Sequence, residues 1–514
     1  MSSRPAAAGS HTLAALAGVC DEAVAVQDAR SSLSWAELER TTAQFANGLQ
    51  SLGVRPGQHV AIQASNRVEF LIAVIGAWRA GCPYTPIKSG WTPVEVDVVA
   101  EEAATVAIVT DRAASREIAA RRNLVLIDLD EDFDAWLQAQ ADTATPDEQC
   151  GWKLPFTSGT TGRAKGVVPA TAGRQSFSES WAGLAAYAQM LELPGEGVHL
   201  FATRLFNGAP LTFGLGALAR GATLRILSSW EPAAGLAELC RPDVTSTILV
   251  PTMFRQLLRL RNKNQQASPG LKTILHGGEP CPISVKQAMI EWFGPVLVEF
   301  YGFTEGGMSI VDSMQWLRRP GTVGRPMAGL EVSIRDANGA EVPVREEGTI
   351  CFAQRDGKRR FTYLGDAAKT EAAHMGSAQG AHFTVGDVGW MDDDGFLYIS
   401  GRIADVVIVG GVNVYPAEID QALADVPGVA DLCAVGASDE IRGERIVLVA
   451  ALTQGSDEQA VRTALATAAE RSLAPYKRPT EVIFTEVIPR DETGKLLRAV
   501  VRDSVKGMPH ATHR

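Results

Sequence analysis

Apolar residues return at helical spacing through Trp35, Leu38, Phe45, Leu49 and Leu52, and Gly53 ends the run. That spacing predicts an amphipathic helix with a glycine stop. Short apolar runs then alternate with helical patterns. The runs are Val60–Ala64, Cys82–Pro86 and Val106–Thr110, and the helical patterns are Glu69–Ala80 and Pro93–Ala104. The alternation resumes at Val198–Thr203, Thr223–Leu227, Ser246–Val250 and Thr273–His276. Strands separated by helices predict α/β layering around a largely parallel sheet.

From about Gly321 to Ser400 the pattern becomes β-hairpins, with turn signals at Asp336-Ala337-Asn338-Gly339 and Asp393-Asp394-Gly395. After Arg402 a smaller α+β unit is expected. It has an apolar hairpin (Val406–Val414), a helix (Pro416–Ala424), two strands (Val429–Val435 and Ile446–Leu452), a long helix (Asp457–Ser472) and a last strand (Glu481–Val487). The expected fold class is therefore α/β: a large domain over residues 1–402, with βαβ layers and a β-barrel-like part, then a small mobile α+β lid over 403–514.

Composition narrows the function. The 514 residues, 46% hydrophobic, suffice for at least two domains. A net charge of −11 argues against a nucleic-acid binder. Seven scattered cysteines without a CxxC argue against a disulfide framework or a structural zinc site. No run approaches the ~20 apolar residues of a membrane span, and the first ten residues lack the apolar core of a secretory signal. A cytoplasmic enzyme is the expectation. The sequence does not fix an oligomeric state.

Five segments carry candidate chemistry. Phe156-Thr157-Ser158-Gly159-Thr160-Thr161-Gly162-Arg163-Ala164-Lys165-Gly166 combines glycines, hydroxyls and a lysine, which suits a polyphosphate, although its spacing is not that of a Walker A loop. Tyr301-Gly302-Phe303-Thr304-Glu305 follows an apolar strand; its glutamate suits Mg²⁺ and its tyrosine a flat base. Asp387, in Gly386-Asp387-Val388-Gly389, suits a ribose diol, with Arg402 in support. Gly410-Gly411 reads as a hairpin entering a helix, and Lys495 sits on a glycine-containing loop near the chain end. Taken singly, the first segment is equally a polar surface loop. The others read as a strand-end turn, a capped turn, a structural hairpin and a solvated basic loop. A degenerate GxGxxA at Gly214–Ala219 reads as packing, Asp392-Asp393-Asp394 as turn carboxylates, and His276 as a strand-end residue rather than a general base.

In this order, together with His276-Gly277-Gly278-Glu279-Pro280-Cys281, the set resembles the ANL superfamily of adenylating enzymes, and within it the acyl-CoA synthetases. The likeness runs from about Trp35 to Arg498. It implies two half-reactions: a carboxylic acid and Mg·ATP give an acyl-adenylate, and coenzyme A then displaces AMP after the lid rotates. It also implies roles. Thr157, Ser158, Gly159, Thr160, Thr161, Gly162 and Lys165 would cradle phosphates. Gly278, Glu279, Tyr301 and Gly302 would flank the adenine. Thr304 would bind the α-phosphate, Glu305 would hold Mg²⁺, and Asp387 and Arg402 would take the ribose. Lys495 would bridge carboxylate and phosphate, and Gly410 and Gly411 would line the pantetheine channel. Phe206, Asn207, Gly208, Met253, Gly277 and Gly302 would border the acyl pocket. Small residues there, including Gly214, Gly216, Gly306 and Gly307, suggest room for a bulky apolar acid.

Three departures from the family pattern stand out: Ala404 at the hinge, Asn207 where a histidine or aromatic is common, and Ala164 in place of a proline. They raise a second reading, a thioesterification specialist fed with an adenylate made elsewhere, which Lys495 opposes. A carrier-protein ligase and an adenylate-binding pseudoenzyme complete the alternatives.

Overall fold

The computed structural model describes residues 13–143, 150–157, 165–261, 270–375, 382–439, 441–491 and 494–506. Its first long helix, Trp35–Ser51, begins where the sequence dictates. Ser34 accepts from the Glu37 amide while the Glu37 carboxylate accepts from the Ser34 amide, a reciprocal cap. Trp35, Leu38, Phe45 and Leu49 are fully buried, each contributing roughly 1.5–3 kcal/mol of burial. The helix packs on Val68–Arg79, where a Cβ at Gly76 would strike the Phe45 ring. Close approach of the two backbones therefore requires glycine at that position.

The central sheet has nine strands. Six of them run parallel: Val24–Gln27, Thr223–Ile226, Val198–Phe201, Val244–Leu249, Thr273–Gly277 and Leu297–Gly302. Antiparallel strands close both edges, Ser32–Ser34 at one and Met308–Asp312 with Arg325–Pro326 at the other. Val244–Leu249 is buried on both faces, as parallel strands sandwiched between helices are. A second, wholly parallel sheet joins Tyr84–Pro86, His59–Gln63, Thr105–Thr110 and Val125–Asp128.

The hairpin region forms a six-stranded antiparallel sheet and a three-stranded one. The latter pairs Phe361–Tyr363 with Lys165–Pro169 and that strand with Phe156–Thr157. Beyond Arg402 a five-stranded sheet spans Val407 to Thr485, with helices Pro416–Leu423 and Glu458–Ser472 and cores of its own. Several helices escaped the periodicity reading, those at the two ends of the described chain among them. Leu13–Cys20 is too short to show a period, and Arg498–Lys506 is mostly polar and buries only Val501 and Val505. The strand expected to end at Val435 continues to Asp439, because its partner Gly443–Leu452 continues beside it.

Candidate active site

Asp387 begins a strand that pairs with Leu397–Arg402, so Asp387 and Arg402 lie opposite each other. Arg402 Nε is 2.9 Å from Asp387 Oδ1, and the Tyr301 hydroxyl donates to Oδ2 at 2.5 Å. Tyr301 sits near the end of a central-sheet strand, so this bond ties the two large sheets together. Asp387 is buried, yet its Oδ1 accepts no aligned hydrogen bond from the described residues. A buried acceptor with open capacity suits a hydroxyl donor such as a ribose diol. Burial, then the Asp387 charge, holds the Tyr301 phenol well above its ordinary value, so it remains a donor.

Thr304 is exposed and Glu305, its neighbour, is buried. The Tyr363 hydroxyl donates to Glu305 Oε1 at 2.7 Å. One fixed carboxylate beside phosphate oxygens fits Mg²⁺, which keeps few protein ligands in nucleotide sites; Glu305 would hold it, and the ion would neutralise phosphate charge. Lys165 pairs with Thr157 across the three-stranded sheet, and its ammonium lies 3.6 Å from Asp366. Ser158, Gly159, Thr160, Thr161, Gly162 and Ala164 lie outside the described residues.

Lys495 reaches the same place from the other side of the chain. Asp491 Oδ1 accepts from the Lys495 amide, and Gly494 takes φ +89°, closing a tight turn. The turn is docked: Asp491 is 3.3 Å from the Lys88 ammonium, and a Cβ at Gly494 would meet Thr252 at 3.5 Å. Enclosure, then the Arg402 charge, lowers the Lys495 pKa, and Asp491, Lys88 and Asp387 act on it as well. The Lys495 ammonium is thus within electrostatic reach of both expected ribose ligands. Gly410 and Gly411, by contrast, are exposed at a hairpin turn with open space around them, and this arrangement does not bring them to the cluster.

The segment expected to flank the adenine divides its backbone and side-chain roles. Gly278 is open, as a base-stacking surface requires. The Glu279 carboxylate instead accepts from the Thr252 amide at 2.6 Å, capping the helix Pro251–Leu260, and from Arg490 at 2.9 Å. Only its backbone remains to face a base. His276 is wholly buried, and burial, then the Lys286 charge, keeps it neutral. Beneath it the buried Lys286 donates to Glu299 at 2.6 Å.

The small residues expected around the acyl pocket are closely packed. Phe206 and Met253 pack into different cores, because the helices bearing or following them cover opposite faces of the central sheet. A Cβ at Gly277 would strike the Phe300 carbonyl, one at Gly214 the Phe201 ring, one at Gly216 Ala188, and one at Gly307 the Phe303 ring. These glycines admit neighbouring protein atoms and so supply no pocket volume. Gly302 is similarly close to Gly307 and Met308. Asn207 precedes the helix Gly208–Ala219 without capping it by its side chain.

Beside Asn207 stands a residue the sequence did not single out. Lys153 donates to Gly208 O at 2.8 Å and Thr212 Oγ1 at 2.6 Å, and burial pushes its ammonium down to about 8. Lys88 and Arg490 were missed for the same reason: each acts on a segment far away in the chain, which no local motif records.

Sequence profiles, related proteins and a solved structure all match the chain. The sequence profile described as AMP-binding enzyme matches residues 14–357, and that of the AMP-binding enzyme C-terminal domain matches 418–495. A feruloyl-CoA synthase of Amycolatopsis is 30% identical over 490 residues, covering 93% of this chain and 95% of its own. A long-chain-fatty-acid–CoA ligase of Mycobacterium tuberculosis is 29% identical over 492 residues, 92% and 93% of the two chains. The crystal structure of ATP-bound MatB from Rhodopseudomonas palustris superposes with a TM-score of 0.84 at 25% identity, covering 97% and 99%. With these matches along its length, the chain belongs to the AMP-binding enzyme family.

Proposed function

We propose that this chain is an ATP-dependent, AMP-forming acid–CoA ligase that carries out both half-reactions. In the first, the acid's carboxylate oxygen attacks the α-phosphorus of ATP and the bond to pyrophosphate breaks. In the second, the thiol of coenzyme A attacks the acyl carbon, AMP leaves and the thiol proton passes to solvent. The observation that supports the first step is the docking of the turn that bears Lys495, through the Lys88–Asp491 ion pair and the packing of Gly494 against Thr252. A cation held there stabilises charge developing between carboxylate and phosphate, and fixed alignment of the two reactants lowers the barrier further. Thr304 and Lys165 would contact phosphates, with Ser158, Thr160 and Thr161 as their proposed partners.

The second step needs a different lid position, with Gly410 and Gly411 brought to the cleft. The charges flanking Ala404 fit a hinge there. Arg402 is bound to Asp387, while Asp405 faces Arg498 at 3.7 Å within the small unit. We place the boundary between the two units at Arg402–Asp405. A cytoplasmic setting is supported by seven free cysteines, as a reducing compartment maintains; among the described residues no helix is long and apolar enough to cross a membrane.

The test supplies the purified protein with Mg²⁺, coenzyme A and either acid plus ATP or the matching synthetic acyl-adenylate, and follows acyl-CoA by mass. Product from both inputs supports the full ligase. Product from the adenylate alone refutes the first half-reaction and supports the thioesterification specialist.

A further inference from the structure

Arg360 precedes the strand Phe361–Tyr363, and its carbonyl accepts from the Ala170 amide. Its side chain turns inward over the Glu305-Gly306-Gly307 segment. Gly306 has φ +101°, and a Cβ there would collide with Arg360 Nε and lie 2.8 Å from its Cδ. The guanidinium stem therefore lies flat on bare backbone, directly beside the expected Mg²⁺ ligand.

Its other neighbours given by the structure, Tyr187 and Gln354, are neutral. Tyr187 lies alongside and donates to Met308 Sδ at 2.8 Å. Its ring is 6.0 Å from Phe213, which meets Phe300 at 5.0 Å. Met308 also borders Gly302. Arg360 Nη1 donates to Gln354 Oε1 at 2.9 Å, with the amide in the orientation its neighbours require. Among the described residues no carboxylate lies within ion-pair distance of Arg360. The adjacent Arg359, by contrast, is gripped by both oxygens of Glu371 at the surface. Burial pulls the Arg360 pKa down, whereas the partnered Arg67, Arg116 and Arg498 are all raised.

Enclosing a guanidinium without an anion is costly, and the cost is recovered when a ligand brings the missing charge. A guanidinium also offers paired donors matched to a carboxylate. We propose that Arg360 receives a second carboxylate on the acid substrate, so that the enzyme activates dicarboxylic acids, one carboxylate being adenylated while the other is held. This rests on the ligase reading above, and it replaces bulk with charge as the basis of selection.

The test measures binding of paired 5′-O-acylsulfamoyl adenosines, stable mimics of the adenylate, to the full-length protein. Each pair shares an acyl chain ending either in a carboxylate or in its methyl ester, across a graded series of chain lengths. For at least one length the carboxylate should bind about 10- to 100-fold tighter, the worth of a charge-assisted hydrogen bond. Arg360→Leu should abolish that preference and Arg360→Lys should retain part of it, while AMP affinity and the KM for ATP stay unchanged. Equal binding of both members at every length overturns the proposal, as does a preference that survives Arg360→Leu. A rise in the KM for ATP without loss of discrimination would assign Arg360 to the polyphosphate instead. If AMP and every mimic fail to bind the folded wild-type protein, it is the ligase reading that fails.

Discussion

Arg490 is the bond across which the lid should be felt. Its guanidinium grips both oxygens of Asp431 at 2.8 and 2.9 Å and donates to Gly494 O, all within the small unit. One further bond crosses to Glu279 at 2.9 Å. Arg490 and Glu279 are 17% and 6% exposed at their side chains, so solvent screens the pair little. If the lid rotates between half-reactions, the Asp431 contacts travel with it and only the Glu279 contact breaks. Glu279 keeps the Thr252 amide and hydroxyl in either state, so no bare carboxylate is left behind. The orientation-specific energy is that of one charge-assisted hydrogen bond, about 1.5–3 kcal/mol, or about a 10- to 100-fold change in rate. The assay is a double-mutant cycle with Arg490→Met and Glu279→Gln. Acid-dependent pyrophosphate exchange reports the first half-reaction, and acyl-CoA formation from synthetic adenylate reports the second. The coupling should appear in full in the first and vanish in the second. Equal coupling in both, or single effects that simply add in the first, would refute the argument.

Three other outcomes are expected. Lys495→Ala should lower pyrophosphate exchange by about 10²- to 10³-fold, the usual cost of losing one charge-stabilising donor, with thioester formation from the adenylate largely retained; parallel loss would count against its assigned step. His59 is buried between Thr105 and Thr85 hydroxyls, and burial pushes it down to about 3. Its folded pKa lies below its unfolded one near 6.5, so the unfolded chain binds the extra proton between those values and stability falls as pH drops below about 6.5. By pH ~5 the cost should be about 2 kcal/mol; a denaturant midpoint in His59→Gln that shows the same pH slope as wild type would show the reasoning wrong. Gly324 has φ +93° and its Cβ would strike the Ile310 carbonyl, so Gly324→Ala should cost about 2 kcal/mol or more, read as a lowered melting temperature against wild type.

Local pattern was enough for much of this protein. An apolar stripe and a glycine stop placed the helix Trp35–Ser51 almost to the residue. Short β-rich runs separated by helices specified a parallel sheet, because such strands bury both faces and need crossovers. The candidate residues Tyr301, Glu305, Asp387, Arg402 and Lys495 were also readable, since each sits in a motif whose spacing is local. What tertiary structure alone decided is which distant groups meet. That Tyr301 donates to Asp387, that Glu279 spends its carboxylate on Thr252 and Arg490, and that Lys88 anchors the Lys495 turn all join groups between 27 and 403 positions apart. The glycines show the limit most sharply. In sequence a small residue reads as empty space, but at Gly214, Gly216 and Gly277 the packed neighbours fill it. Arg360 shows the converse: an arginine in a basic run has the pattern of solvated surface until the fold turns it inward over Gly306, with no carboxylate of the described residues within ion-pair distance. Sequence sets each group's chemistry, whereas its partners and its exposure to water are set by packing.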